Sequence, residues 1–100
     1  MNIIAITACP TGIAHTYMAA EQLEKTAKTL GHHIKVETQG AMGQENELTA
    51  ADIAAADAIV FAADIGIEGR ERFEGRAVLT VPVQEAIKNP LGIFQRLAAR

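Results

Sequence analysis

Residues 2–16 read Asn-Ile-Ile-Ala-Ile-Thr-Ala-Cys-Pro-Thr-Gly-Ile-Ala-His-Thr, and this stretch decides the fold. Its beginning, up to Thr7, is a short apolar run of the kind found in strands that are buried on both faces. Residues 8–12 have the composition of a turn, and a helix is predicted from there to about Leu30. A buried strand that turns directly into a helix is the opening unit of an α/β fold.

The predicted first helix has one apolar face. Its apolar side chains recur at spacings of three and four, and they are Ile13, Tyr17, Ala20, Leu23, Ala27 and Leu30. Gly31 follows as a natural stop, because glycine adopts the left-handed conformation at a helix end without steric cost. We therefore expect these six side chains to face the core and the helix to end before Gly31.

Three further strands are predicted at residues 34–39, 58–63 and 77–81. The first of these alternates apolar and polar side chains, with Lys35 and Glu37 on the polar side, as an edge strand does. Residues 40–47 are predicted to form a loop. Short apolar strands that alternate with helices predict parallel pairing within one sheet.

The remaining segments predict short helices. Thr49 and Asp52 have the spacing of a capping box that opens one of them. The charged segment 64–74 has room for one short helix, and two helical pieces are predicted at 83–88 and 91–99. A buried stripe of Leu91, Phe94 and Leu97 is expected on the last piece. Together the pattern predicts a single domain over residues 1–100, an α/β fold with an open four-stranded, mostly parallel sheet and helices on both faces. This is a three-layer αβα, Rossmann-like arrangement.

Composition and charge exclude several function classes. The net charge of −3 gives no general attraction to nucleic acid or to anionic lipid, so neither is expected as a partner. The first charged residue is Glu21, whereas a signal peptide begins with positive charge, and a spanning helix would carry Pro10 and His15 through the bilayer. The single cysteine excludes an internal disulfide and a C-x-x-C metal or redox site. We expect a cytoplasmic protein that needs no metal and no organic cofactor.

The candidate site is at the end of the first predicted strand, where open α/β sheets bind ligands. Cys9 lies there, directly before a helix whose first N–H groups have no partner within the helix. These donors and the helix dipole attract anions, so they favour the thiolate and can hold a phosphoryl group beside it. We predict Cys9 as the nucleophile. The predicted phosphate-binding residues are Pro10, Thr11, Gly12, Ile13, Ala14, His15 and Thr16, with the Thr11 and Thr16 hydroxyls as additional donors.

Three functions fit such a site. A phosphocysteine carrier would take a phosphoryl group onto the thiolate and pass it on. A phosphatase of the low-molecular-weight type needs an arginine six residues after the cysteine, and His15 stands there instead. A phosphate- or flavin-phosphate-binding module would suit the threonines and the glycine, but a chain with no Trp, 1 Tyr and 3 Phe has few aromatic rings to stack on a flavin.

Two further points stay open at this level. His15 either donates a hydrogen bond to the phosphoryl oxygens or faces solvent, and its position alone does not separate the two. Arg70, Arg72 and Arg76 are most simply a solvated face, although they would contact a phosphate or an acidic partner if their segment lay beside Cys9.

At these residues the chain resembles the IIB component, fructose family, of the bacterial phosphoenolpyruvate-dependent sugar phosphotransferase system. The matching stretches are Cys-Pro-Thr-Gly-Ile-Ala-His-Thr at 9–16, Val-Glu-Thr-Gln-Gly at 36–40, Ala-Ala-Asp-Ile at 62–65, Arg-Phe at 72–73 and Ala-Ile-Lys at 86–88. The segment Gly66-Ile-Glu-Gly-Arg70 departs from the family pattern.

The resemblance implies a specific activity and specific partners. It implies a protein-phosphohistidine–sugar phosphotransferase in which Cys9 becomes phosphocysteine. The donor would be the phosphohistidine of a IIA protein, and the acceptor would be fructose or a fructose-like sugar held by a membrane IIC protein. Through IIC, the chain would associate with the inner face of the membrane.

Overall fold

The alternation of strands and helices is confirmed in a computed structural model that describes residues 1–9, 13–40 and 43–99. The strands are β1 (Asn2–Ala8), β2 (His33–Gly40), β3 (Gly43–Glu45), β4 (Ala58–Ala63) and β5 (Leu79–Val81). The helices are α1 (Ile13–Thr29), α2 (Ala50–Ala55), α3 (Val83–Lys88) and α4 (Pro90–Ala98), with one 3₁₀ turn at Arg70–Phe73.

The sheet has the strand order β3-β2-β1-β4-β5. Strand β1 lies at its centre and pairs in parallel with β2 and β4, and β5 pairs in parallel with β4. The prediction of four strands was wrong by one, because β3 lies within the segment predicted to be loop and pairs antiparallel with the end of β2. All three residues of β3 are exposed, so no buried apolar pattern marks this strand in the sequence.

Two apolar layers cover the sheet, as the three-layer prediction requires. Ile3 and Ala5 of β1 join the cluster that includes the buried side chains of α1, α3 and α4. Ile4 and Ile6 point the other way and join Ile53 of α2 in a second cluster, which also contains Phe73 of the 3₁₀ turn. Because side chains alternate along a strand, the unbroken apolar run of β1 serves both layers at once.

The end of α1 follows the predicted helix stop. Gly31 has a φ of 79°, its N–H donates to the carbonyl of Lys28, and the N–H of His32 donates to the carbonyl of Ala27. These are the two hydrogen bonds of a Schellman motif. The chain thereby leaves the helix and enters β2 at His33.

The buried face of α1 is narrower than predicted. Ala20, Leu23 and Ala27 are buried as expected, but Tyr17 is 37% exposed and Leu30 is 42% exposed. The Tyr17 hydroxyl instead donates a hydrogen bond to Glu45 of β3, and Leu30 lies beyond the last helical residue. Spacing alone overestimates this stripe, because the sheet below the helix covers only part of its width.

Helices α2 and α4 begin with side-chain caps. The Thr49 hydroxyl accepts from the N–H of Asp52, and the Asp52 carboxylate accepts from the N–H of Thr49, which confirms the capping box. Lys35 donates to the same carboxylate at 2.7 Å. This bond, followed by those from Thr49, lowers the pKa of Asp52 to about 2.

Along α4, Phe94 and Leu97 are buried, whereas Leu91 is 46% exposed. The predicted stripe was therefore wrong at Leu91, and Ile93 takes its place.

Replacing Leu23 by alanine should lower the free energy of unfolding by about 3 kcal/mol, because a fully buried side chain of α1 leaves a cavity between the helix and the sheet. Leu30→Ala is the matched control, since the same atoms are removed from a half-exposed position. It should change the free energy by less than about 0.5 kcal/mol. Urea unfolding followed by circular dichroism measures both, and equal losses would contradict the assigned face of α1.

Candidate functional site

Cys9 lies at the carboxyl edge of the sheet. Because β1, β2, β4 and β5 are parallel, their ends at Ala8, Gly40, Ala63 and Val81 meet at this edge. Cys9 directly follows the last residue of the central strand, is half-buried, and packs against the apolar cluster beneath α1. The structure therefore places Cys9 where the sequence predicted it.

This edge is also the switch point of the topology. The chain leaves β1 through α1 to β2 on one side, and it returns through α2 to β4 on the other side of β1. The contacts of the two helices place them on opposite faces of the sheet. At such a point neighbouring connections diverge and leave a crevice, in which open α/β sheets bind ligands.

The amino end of α1 approaches the same point. Among the predicted phosphate-binding residues, Ala14 is exposed, His15 is half-buried and Thr16 is fully buried in the first turn. Pro10, Thr11 and Gly12 lie outside the described residues, as does the side chain of Ile13. The helix has 17 residues and no acidic residue in its first turn, so no carboxylate of that turn opposes an anion at its amino end.

His15 is brought to the thiol. Its Nδ1 lies 4.0 Å from the Sγ of Cys9, and the ring is half-buried, which disfavours the alternative in which it only faces solvent. At this distance the ring nitrogen can act as a donor toward sulfur or toward a group attached to sulfur, depending on its tautomer. Cys9 and His15 thus form one cluster.

Thr16 joins α1 to the central strand. Its backbone carbonyl accepts a hydrogen bond from the Thr7 hydroxyl at 3.1 Å, and both side chains are fully buried. The Oγ1 of Thr16 is buried without a hydrogen-bond partner in the part of the chain that the structure describes. Gly40, at the end of β2, approaches the same side chain, since a Cβ placed on it would lie 3.9 Å from that oxygen. A buried hydroxyl in this state retains the capacity to donate to a ligand.

Arg72 does not belong to a solvated face, so the simplest interpretation of the arginines was wrong for it. Its Nε donates to the carbonyl of Gly69 at 2.8 Å. Its two terminal nitrogens donate to the two carboxylate oxygens of Glu37 at 2.8 and 3.0 Å. They also donate to the carbonyls of Leu48 at 3.0 Å and Glu68 at 3.1 Å. A guanidinium has five N–H donors, so every donor of Arg72 is engaged and none is left for a phosphoryl group.

The other two arginines also make defined contacts. Arg76 donates to the carbonyls of Ile53 and Ala56 at 2.5 and 2.7 Å, where α2 ends. Arg70 lies over the ring of Phe61, 5.6 Å from its centroid. Arg76 therefore holds the end of α2, and Arg70 covers an aromatic ring.

Glu37 and Gln39 were missed as partners of Arg72. Both lie on the polar face of β2, where alternation predicted exposure, yet the Glu37 side chain is fully buried. Burial is the largest single influence and opposes its ionisation, but hydrogen bonds from Arg72, Gln39 and the N–H of Leu48 outweigh it, so the pKa of Glu37 is lowered. The same pairing raises the pKa of Arg72. The alternation of β2 marks the face correctly, but it does not show that another segment covers this face.

A groove of about 390 Å³ opens at the carboxyl edge above this polar network. One wall of the groove is formed by the end of β2 and the start of β3. The other wall is formed by the segment that follows β4. Its lining residues are Gln39, Gly40, Gly43, Gln44, Ile65, Gly66 and Glu68. Ile65 is an exposed apolar side chain at its rim. The groove therefore lies at the edge of the sheet where β2 and β4 end.

Comparison with known proteins agrees with this arrangement. The family model described as "PTS system, Lactose/Cellobiose specific IIB subunit" matches residues 4–96. An Escherichia coli K12 protein named "PTS system fructose-like EIIB component 2" is 53% identical over 98 residues, which cover 98% of this chain and 92% of that protein. The "Fructose-like PTS system EIIBC component" of the same organism is 52% identical, and the match covers 97% of this chain and 20% of that protein.

Solved structures show the same fold. The solution structure of the Enzyme IIB subunit of the PTS system from Escherichia coli K12 superposes with a TM-score of 0.91 at 47% identity, covering 97% of this chain and 90% of that one. Within the described residues, no helix is both long enough and apolar enough to cross a bilayer.

Glu37→Gln should destabilise the protein most at neutral pH, by about 3 kcal/mol or more, because Arg72 is left partly buried without its counter-charge. Since the folded pKa of Glu37 is lowered, its ionisation stabilises the native state above the unfolded value of about 4.3, and this contribution is lost as the pH falls through the folded pKa. The difference between the two proteins in urea unfolding should therefore shrink below about pH 4. A difference independent of pH would contradict the buried ion pair.

Proposed function

The chain belongs to the IIB family of the phosphoenolpyruvate-dependent sugar phosphotransferase system, and we propose that it carries the phosphoryl group on Cys9. Members of this family are phosphotransferases that act on sugars, and the relatives of this chain are named fructose-like. The observation that carries the proposal is the position of Cys9. It leaves the central strand at the switch point, beside the amino end of α1 and 4.0 Å from His15.

The chemistry consists of two displacements at phosphorus. The thiolate of Cys9 attacks the phosphorus of a phosphohistidine, the P–S bond forms as the P–N bond breaks, and the released imidazole takes up a proton. In the second step a sugar hydroxyl attacks the same phosphorus, its proton goes to a base at the acceptor site, and the P–S bond breaks to regenerate the thiolate. No oxidation or reduction occurs, so the chain needs no redox partner for these steps.

The protein contributes positioning and fixed positive partial charge to both steps. We assign the oxyanion donors to the backbone N–H groups of residues 11–16, with Pro10 shaping the turn and Gly12 allowing close approach of the backbone. The Thr11 and Thr16 hydroxyls add donors. The buried Oγ1 of Thr16, without a partner in the described residues, supports this assignment for Thr16.

The engagement of Arg72 favours a carrier over a phosphatase. A phosphatase places an arginine on the transferring group to stabilise attack by water, and the described arginines of this chain have other partners. A carrier must instead keep its phosphothiol intact until the acceptor arrives. In the tautomer protonated at Nδ1, His15 supplies one hydrogen-bond donor at the sulfur without a bidentate clamp.

We further propose the partners that this route requires. The donor is a phosphorylated IIA protein, and the acceptor is fructose or a fructose-like sugar in a membrane IIC protein. The chain would work in the cytoplasm, at the inner face of the membrane beside IIC. The relative named as an EIIBC component supports the pairing with a IIC protein, because its name joins the B and C parts in one protein.

Cys9→Ser should abolish transfer to the sugar while leaving the fold intact, since a hydroxyl is a much weaker nucleophile than a thiolate. The measurement is a single-turnover reaction with a phosphorylated IIA protein, followed by mass spectrometry of the peptide that contains Cys9. The wild type should gain one phosphoryl group on that peptide. Sugar phosphorylation by the serine variant at the wild-type rate would refute the role of Cys9.

His15→Ala should slow transfer by about tenfold, the effect of one lost hydrogen bond to a charged group. His15→Asn is the matched control, because its amide nitrogen can take the place of Nδ1 and should restore most of the rate. Rapid-quench kinetics with phosphorylated IIA separates the three proteins. Equal rates for wild type and alanine variant would leave His15 with no part in the reaction.

A further inference from the structure

We propose that Glu37, Gln39 and Arg72 are positioning residues for phosphoryl transfer, an inference that rests on the proposed role of Cys9. They form a clamp that binds residues 68 and 69, which follow β4, across the end of β1 to the polar face of β2. The three side chains bond to one another, since both Gln39 and Arg72 donate to the Glu37 carboxylate. They act by fixing the strand end from which Cys9 emerges.

Arg72 is the centre of this clamp. It joins three separated segments, because its donors reach Glu37 on β2, the carbonyl of Leu48 before α2, and the carbonyls of Glu68 and Gly69. Gly69 has a φ of 71°, and a Cβ at that position would lie 2.7 Å from the Nε of Arg72. The backbone therefore wraps closely around the guanidinium, and a side chain at Gly69 would displace it.

Gln39 completes the clamp through a two-point pairing with backbone. Its Nε2 donates to the carbonyl of Glu68 at 2.9 Å, and its Oε1 accepts from the N–H of the same residue at 2.8 Å. The Nε2 also donates to Glu37 at 2.6 Å. A side-chain amide thus gives residue 68 the two hydrogen bonds that a neighbouring strand would give, although β1 lies between β2 and β4.

The segment held in this way supports the residue before Cys9. Ala8 is fully buried and belongs to the same apolar cluster as Ile67 and Phe73. The carbonyl of Ala8 accepts from the N–H of Asp64 at 3.1 Å, and the Asp64 carboxylate accepts from the N–H of Val83 at the start of α3. Released from β2, residues 64–69 would no longer hold Ala8 from this side, and the thiol would lose its fixed position over the helix end.

Stability alone does not explain why the ion pair of Glu37 and Arg72 is buried here. An ion pair that is removed from water costs about as much in desolvation as it returns, so apolar residues of similar size are often as stabilising. The carboxylate and the guanidinium instead supply directional bonds to four backbone groups, which apolar contacts would not orient. Directional restraint beside a reacting atom is what positioning requires, since small displacements there reduce rates strongly.

The test compares Arg72→Met and Gln39→Ala with Arg76→Met, a matched control. Arg76 also donates to two backbone carbonyls, but these lie at the end of α2, next to the residues that enter the amino end of β4. Arg72→Met removes the centre of the clamp, and Gln39→Ala removes only the pairing with residue 68. Gln39→Ala leaves the ion pair in place, so it decides the question if Arg72→Met does not fold.

Two measurements are made well below the melting temperature of each variant. The first is the single-turnover rate at saturating phosphorylated IIA. We expect it to fall by tenfold or more in both clamp variants and to stay within twofold of wild type in Arg76→Met. The second uses factor Xa, a protease that cleaves after Ile-Glu-Gly-Arg, the sequence of residues 67–70. Cleavage should accelerate only in the clamp variants, because their segment is released while the rest stays folded.

The outcomes are separable. Wild-type transfer rates in both clamp variants would overturn the inference and leave the proposed function intact. An equal loss of rate in Arg76→Met would also overturn it, since the effect would then follow stability alone. A wild-type chain that accepts no phosphoryl group from IIA would contradict the proposed function itself.

Discussion

The structure depends on the burial of β1 on both faces. An apolar layer packs against each face of this strand, and a parallel strand pairs with each of its edges. Its direction is therefore fixed, and the residue that follows it must emerge at the carboxyl edge. Cys9 is that residue, so the rigidity of the core is passed to the candidate nucleophile through one peptide bond.

The described arginines are engaged with a carboxylate, with backbone carbonyls or with an aromatic ring. Among the described groups, the imidazole of His15 lies beside the thiol, and α1 begins four residues after Cys9. Such groups would stabilise a phosphoryl group without strongly favouring attack by water, which suits the proposed carrier.

A network of hydrogen-bonded polar side chains lies at the edge of the second apolar layer, where β2 ends. On the face opposite α1, the ion pair of Glu37 and Arg72 takes the place of a helix at the end of β2, and it bonds backbone groups of two segments, at residue 48 and at residues 68–69. A chain of this size has few long helices with which to cover a sheet, and a buried salt bridge that satisfies several backbone groups lets short irregular segments pack as closely as a helix would.

Local sequence patterns determined the framework and the place of the site. The apolar run at residues 3–6 and the glycine at 31 act through their own backbone preferences, so the central strand and the end of α1 follow from neighbours in the chain. The same holds for the capping box of Thr49 and Asp52. The family resemblance of residues 9–16 rests on the same stretch.

Only the tertiary structure decided which polar residues are buried and which apolar ones are not. Glu37 was expected at the surface because its strand alternates, and the segment that covers it lies 35 residues away at Arg72. Strand β3 is three exposed residues whose pairing with β2 depends on a turn rather than on any apolar pattern. The contact of His15 with the thiol, likewise, requires the strand end and the first turn of α1 to be set against each other. Local preferences act over a few bonds, whereas these features depend on contacts between distant segments, which a single sequence does not encode in any short pattern.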